Sequence, residues 1–250
     1  MDQGNSPEFL ELLSKHDIAL AEIYVAVHMT PAGIEERSEV ETAEIIALAA
    51  KIGVQMIVFA VDGTGDRDIT ATRSETAPQL SELANQQLAE HINRYAKQAK
   101  ESGIKSSFHP HAATYVESQK ETDRLLTLLD SDLVGLCLDV GHWIVAGEDP
   151  IAAVLKYKNR ITHVHVKDVS PAVLAKLANK EILHMEDAVS NFKLFIPAGT
   201  GALDLDALIR ELKKINYSGW LMSEQDSARE PAEAASEISF NAILNALDDN

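Results

Sequence analysis

Short runs rich in valine, isoleucine and leucine alternate along this chain with longer stretches in which apolar positions recur every three or four residues. The short runs predict strands at 18–27, 54–61, 104–109, 134–139, 161–166 and 219–224. The longer stretches predict helices at 39–51, 81–102, 120–129, 150–157, 204–215 and 231–247; in the first of these Ala43, Ile46, Ala47 and Ala50 share helical spacing. Gly53 and Gly103 stand where a helix needs a left-handed stop, and Asp204 suits an N-cap. A polar loop is expected over 62–74. Strand and helix in strict alternation mean βαβ units and a parallel sheet, so the expected fold is α/β and barrel-like, in a single domain over 1–250. A closed eight-stranded barrel needs two more β/α units than the six strands found.

Composition narrows the partners. The chain has 250 residues, 46% of them hydrophobic, enough for one large core. Its formal charge of −17 is spread along the sequence, which argues against nucleic acid and against an anionic membrane surface, since both need clustered Lys and Arg. The single cysteine, Cys137, lies in an apolar run and cannot build a disulfide framework, as expected of a buried thiol in a reducing compartment. Residues 1–8 are polar and acidic, with no basic segment leading into an apolar one, so neither a secretory signal nor a membrane span is expected. These features together predict a cytoplasmic protein.

Side chains that act in parallel α/β folds gather at the C-terminal ends of strands, where the loops form the open face. Here the third predicted strand runs into His109 and His111, the fourth into Asp139 and His142, the fifth into His163, His165 and Lys167, and the sixth into Glu224 and Asp226. Five of the nine histidines fall in these motifs, which is difficult to obtain by chance. A lone histidine or Asp-x-Gly at a strand end is ordinarily a hydrogen-bonded core residue or a turn; four such positions on successive strands point instead to convergence. We therefore expect His109, Asp139, His165 and Glu224 to hold a divalent cation. Two imidazoles and two carboxylates suit Mn²⁺, Co²⁺, Fe²⁺, Zn²⁺ or, less well, Mg²⁺, and the lack of thiolates argues against a structural zinc.

At these residues the sequence resembles the xylose isomerase-like TIM-barrel superfamily of sugar phosphate isomerases and epimerases, and within it the inosose dehydratase-like branch. The resemblance is carried by FHPHAATYVE at 108–117, CLDVGH at 137–142, AGEDP at 146–150, RITHVHVKD at 160–168, PAGTG at 197–201 and GWLMSEQD at 219–226. It implies metal ligands from the fifth to eighth barrel strands. The last three fall on Asp139, His165 and Glu224; the first falls on His109, where many epimerases carry glutamate, with His111 as the competing position. Counting back from Glu224 makes 18–27 the third barrel strand, so the fold is expected to lack the first two β/α units. Ala113 and Thr200 stand where the family usually has glycine and glutamate.

The resemblance also implies an enzyme, a metal-dependent isomerase, epimerase or dehydratase acting on a small polyhydroxy ketone such as a sugar or keto-inositol. In that reading Glu224 is a ligand and base, His142 or His111 a proton shuttle, and Lys167 an electrostatic stabiliser or substrate contact. Glu117, Trp143 and His163 are expected substrate contacts; Glu117 could instead orient the histidines or face solvent, and both Trp143 and Trp220 also suit core packing. The alternative is a metal-binding or oligomerising scaffold without turnover, with homo-oligomerisation as a means of completing the barrel. A nuclease of the apurinic endonuclease type shares the fold and the Asp-x-x-His pattern but needs a basic DNA-facing surface that this charge balance opposes.

Overall fold

The computed structural model describes residues 7–63, 65–69, 71–72, 76–227 and 231–249. Ten strands are found among them: β1 (Glu22–Val27), β2 (Met29–Thr30), β3 (Gly33–Ile34), β4 (Met56–Val61), β5 (Lys105–Phe108), β6 (Val134–Asp139), β7 (Ile161–Val166), β8 (Asp168–Val169), β9 (Phe195–Ile196) and β10 (Leu221–Ser223). Eleven helices accompany them: α1 (Pro7–Lys15), α2 (Glu36–Ile52), α3 (Gly65–Asp68), α4 (Glu82–Glu101), α5 (Gln119–Leu126), α6 (Val140–Val145), α7 (Pro150–Lys156), α8 (Pro171–Ala178), α9 (Met185–Ser190), α10 (Leu205–Lys214) and α11 (Ala232–Asp249).

The six expected strands form one parallel sheet in the order β1-β4-β5-β6-β7-β10. Both β4 and β6 are buried along their whole length, as continuous apolar runs covered on two faces must be. Strands β1 and β10 are the edges, and they are only partly covered. The sheet is curled: Glu22 on β1 reaches His165 on β7, and the Trp220 indole N–H donates to the Gln55 side chain at 3.2 Å at the other end of the strands. Four strands are shorter than expected, because 18–21, 54–55, 104, 109 and the residues flanking β10 lie outside the assigned strands. The sheet is an incomplete barrel of six strands.

The helices stop and start where local chemistry dictates. Gly53 closes α2 at φ +77°, and the Ser81 hydroxyl caps α4 by accepting from Ala84 N–H. Ser118 and Glu121 form a reciprocal capping box on α5, while Asp204 caps α10 as expected. The apolar faces of these helices meet the sheet in one main core that includes Phe59, Leu88, Phe108, Leu136, Trp143 and Leu208.

Several parts of the fold lack a forecast, among them the β2–β3 hairpin, α3 within the expected polar loop, and α6. Helix α1 is a short amphipathic segment with Phe9, Leu10 and Leu13 half-buried. After β7 the chain makes an excursion through β8, α8, α9 and β9, which builds a second small core around Val169, Val173, Leu177, Met185, Leu194 and Phe195. Its strands are two residues each, too short to show a period in the sequence. The excursion docks on the loop after β4, where Asp68 accepts from Glu186 N–H at 2.9 Å and meets the His184 ring at 2.7 Å. From this part of the chain Phe195 meets the His142 ring at 5.0 Å and Lys167 Nζ at 4.7 Å, just past the C-terminal ends of β6 and β7.

Candidate metal centre

At or within one residue of the C-terminal ends of β5, β6, β7 and β10 stand His109, Asp139, His165 and Glu224, whose ligand atoms meet. Just past β5, the His109 N–H still bonds the Phe59 carbonyl at 2.7 Å, and Pro110 then has no N–H with which to continue the ladder. The His109 ring donates from Nδ1 to the Pro110 carbonyl at 2.7 Å, which leaves the Nε2 lone pair facing inward. At the end of β6, Asp139 divides its carboxylate: Oδ1 accepts from His142 N–H at 2.9 Å and so caps α6, while Oδ2 is buried without a hydrogen-bond partner among the described residues. His165 Nδ1 and Glu224 Oε2 are buried and unpartnered in the same way.

These orphaned atoms converge. Asp139 Oδ2 lies 3.5 Å from both His109 Nε2 and His165 Nδ1, and His165 Nδ1 lies 2.7 Å from Glu224 Oε2 without making a hydrogen bond to it. All four ligand atoms fall within 4.8 Å of one another. Lone pairs brought together in a buried space repel unless a cation lies between them. His109, Asp139, His165 and Glu224 therefore form a candidate divalent-metal site whose donor set fits the ion. The structure brings His109 rather than His111 into this group.

His111 lies beside it. Its ring is half-buried, bonds the Ala112 carbonyl through Nδ1 at 2.7 Å and stacks on His142 with centroids 3.7 Å apart. Burial, with His109 and Lys167 nearby, pushes His111 down to about 3, and burial with His111 and Lys167 likewise holds His142 well below its ordinary range. Both rings are neutral at neutral pH. Lys167 is fully buried; burial alone would favour the neutral amine, but Asp139, Glu224 and Asp226 outweigh it and raise the group above its ordinary value. Its Nζ lies 3.1 Å from Glu224 Oε1, 3.1 Å from Asp226 Oδ2 and 3.1 Å from His142 Nε2, and 4.7 Å from the centre of the Phe195 ring. Burial would raise Asp139 as well, yet Lys167 and His142, followed by His109 and His165, hold it well below its ordinary value. The close packing of α6 on β7 has a local reason: a Cβ at Gly141 would come within 2.9 Å of the Lys167 carbonyl.

Three expected substrate contacts lie elsewhere. Glu117 is fully buried in an ion pair with Arg67 at 3.2 Å, and its carboxylate also accepts from Thr72 and Ala113 N–H. It ties the loop after β4 to the loop after β5 and does not reach the histidines. The signal that identifies this role is Arg67, a cation in the polar loop. Trp143 is in the main core, edge-on to Tyr157 at 5.8 Å, so it packs behind the site and does not wall it. His163 sits one layer below His165, buried beside Glu22. Trp220, expected in the core, is 39% exposed. Lys167 and Asp168 do not pair: Asp168 accepts backbone N–H bonds from Val169, Gly201 and Leu203. Glu22 was not foreseen, because an acid at the start of an edge strand looks like a solvated terminus until the sheet curls. A cavity of about 800 Å³ opens at the opposite end of the strands, lined by Val54, Met56, Lys105, Thr162 and Trp220, and shares no residue with the metal group.

A parallel β/α sheet that carries imidazole and carboxylate donors at four strand ends defines a barrel-like β/α protein with a candidate metal centre. Residues 1–243 match the family model described as xylose isomerase-like TIM barrel, and the chain belongs to that family. An inosose dehydratase from Clostridium botulinum is 35% identical over 151 residues, 59% of this chain and 50% of the relative, and one from Bacillus anthracis is 30% identical over 221 residues, 86% of this chain and 72% of the relative. The chain thus spans about half the length of several curated relatives that it matches. Among solved structures, the IolI protein with a bound zinc atom superposes with a TM-score of 0.70 at 18% identity, covering 96% of this chain and 82% of that one, a likeness of fold. No helix among the described residues is long and apolar enough to cross a membrane.

Proposed function

We propose that this chain binds one divalent metal ion through His109, Asp139, His165 and Glu224 and catalyses proton transfer beside the carbonyl of a small polyhydroxy ketone, with isomerisation, epimerisation or loss of water as the outcome. The observation that carries the reading is the convergence of three buried, unpartnered donor atoms, Asp139 Oδ2, His165 Nδ1 and Glu224 Oε2, on one point. A sugar or keto-inositol is favoured by the inosose dehydratase relatives. When bound, the ion supplies Lewis acidity that makes a C–H beside a carbonyl more acidic.

Around it the chain arranges charge and proton carriers. Lys167 is a fixed cation beside the ligand carboxylates, positioned to stabilise negative charge that develops on substrate. His111 and His142, neutral and stacked, are the candidates to take and return a proton. His142 has one lone pair in its neutral form, and two donors approach it, Ala112 N–H at 3.2 Å from Nδ1 and Lys167 Nζ at 3.1 Å from Nε2. Only one of these is a hydrogen bond in either tautomer, so a proton gained at one nitrogen and lost at the other exchanges the two. Glu224, with one oxygen toward the ligand group and one on Lys167, is held below its ordinary value by His165 and Lys167 against the effect of burial, and serves as a ligand before it serves as a base.

A second reading, a metal-binding scaffold without turnover or one completed by another copy of the chain, is supported by the open edges at β1 and β10. The two readings separate in one experiment. Purified protein loaded with Mn²⁺ or Co²⁺ is assayed on a panel of keto-inositols and ketoses for water loss and epimerisation, beside Asp139→Asn. The enzyme reading expects turnover that falls at least about 100-fold in the variant, the scale on which losing a charge-stabilising group acts. Metal retained with no turnover supports the scaffold; no metal bound, and no effect of Asp139→Asn, removes both.

A further inference from the structure

Glu22 is the one acid on β1, and it stands far from the ligand group in both sequence and strand order, with β4, β5 and β6 between β1 and β7. The curl of the sheet nevertheless brings its Oε2 to 2.9 Å from His165 Nε2, and the same oxygen meets His163 Nε2. Glu22 is only 17% exposed at its side chain, and both imidazoles are buried. Of the two rings, His165 donates from Nε2 to Glu22 Oε2, while His163 Nε2 lies against the same oxygen without making a hydrogen bond.

That contact has a consequence for the ion. A neutral imidazole has one N–H and one lone pair, and a carboxylate that accepts from one nitrogen fixes the lone pair on the other. In His165 the fixed lone pair is then Nδ1, the atom that faces Asp139 Oδ2 at 3.5 Å and Glu224 Oε2 at 2.7 Å. His109 is set in the same way by the Pro110 carbonyl, so both imidazoles in the group are held by a partner behind them. We propose that Glu22 is a positioning residue for the metal centre: from the open edge of the barrel it sets the tautomer and ring orientation of His165, so that metal affinity depends on the seam between β1 and β7 staying closed.

A second cation held by Glu22, His163 and His165 is the competing use of the same atoms, since their donors also lie within 4.8 Å of one another. It requires His165 to give both nitrogens to metal and lose its remaining proton. A hydrogen bond requires no such step. The inference rests on the metal-binding reading above, and the experiment keeps the two apart.

Full-length protein is titrated with Zn²⁺ and with Co²⁺ by calorimetry, as wild type, Glu22→Gln and Glu22→Ala, with circular dichroism on each variant. Wild type is expected to bind one equivalent. Glu22→Ala is expected to raise Kd by about 10- to 100-fold, the usual effect of removing a carboxylate behind a ligating histidine, and Glu22→Gln, which keeps an acceptor oxygen, by less. Nitrogen-15 spectra of histidine in the Zn²⁺-loaded wild type are expected to show His165 protonated at Nε2 and coordinated at Nδ1. A folded Glu22→Ala with wild-type Kd overturns the proposal, as does coordination through Nε2, or two equivalents of metal of which Glu22→Ala loses one. If Glu22→Ala does not fold, the Gln variant and the wild-type spectra decide. Absence of metal binding by wild type defeats the functional reading itself, whereas normal binding with no effect of Glu22 defeats this inference alone.

Discussion

Asp139 shows how a single side chain can serve structure and chemistry together. One oxygen caps α6, where the free N–H groups of a helix start need an acceptor, and this fixes the direction of the other oxygen toward the ligand group. Ala113, three residues before Val116 in the loop after β5, shows the opposite, a residue working against its backbone. It sits at φ +64°, a region that glycine enters freely and other residues enter at a cost of roughly 1–2 kcal/mol. The resemblance places glycine at this position, and the geometry supplies the reason. Ala113→Gly is therefore expected to raise the free energy of unfolding by about 1 kcal/mol, part of the relief being offset by the lost buried methyl. Denaturant titration checks this, and a variant less stable than wild type would show that the methyl outweighs the strain.

Loops joined across strands make the site rigid at the scale of elements. Arg67 on α3 is fully buried between Glu117 and Glu121, at 3.2 and 3.0 Å, so the loop after β4 and the start of α5 share one ion network. Burial lifts the Glu117 carboxyl to about 7 although Arg67 opposes the shift. A folded-state value above the ordinary 4.5 favours the protonated form, so this contribution to stability is complete below pH 4.5 and is lost as pH rises through about 7. The unfolding free energy of wild type, followed through its melting temperature, is expected to decline across that window by no more than about 1.4 kcal/mol per pH unit, the limit for one proton. Glu117→Gln is expected to flatten the decline. An unchanged profile in the variant would assign the slope to another group.

The whole molecule is a six-stranded sheet curled until its first strand faces its fifth, with a ligand group at one end that joins β5, β6, β7 and β10. In the proposed function an ion held by four strands binds the folded chain and not the unfolded one, so saturating Zn²⁺ or Co²⁺ is expected to stabilise the fold, by about 2.7 kcal/mol at 100 times Kd. Thermal unfolding with and without metal measures this, and the gain should vanish in Asp139→Asn; a gain that persists would place the ion elsewhere. The sequence determined a good deal of this molecule. Continuous apolar runs in β4 and β6 and the histidine and carboxylate motifs after successive strands are local signals, and a parallel sheet converts strand ends into one rim, so the meeting of His109, Asp139, His165 and Glu224 was legible before any coordinates. The tertiary structure alone decided what depends on distance across the fold. Arg67 claimed Glu117, the core claimed Trp143, and the curl of the sheet brought Glu22 to His165, contacts separated by 50 and 143 residues in the two polar cases. Periodicity reports which face a residue occupies on its own element, but which partner that face meets is set by how the elements pack.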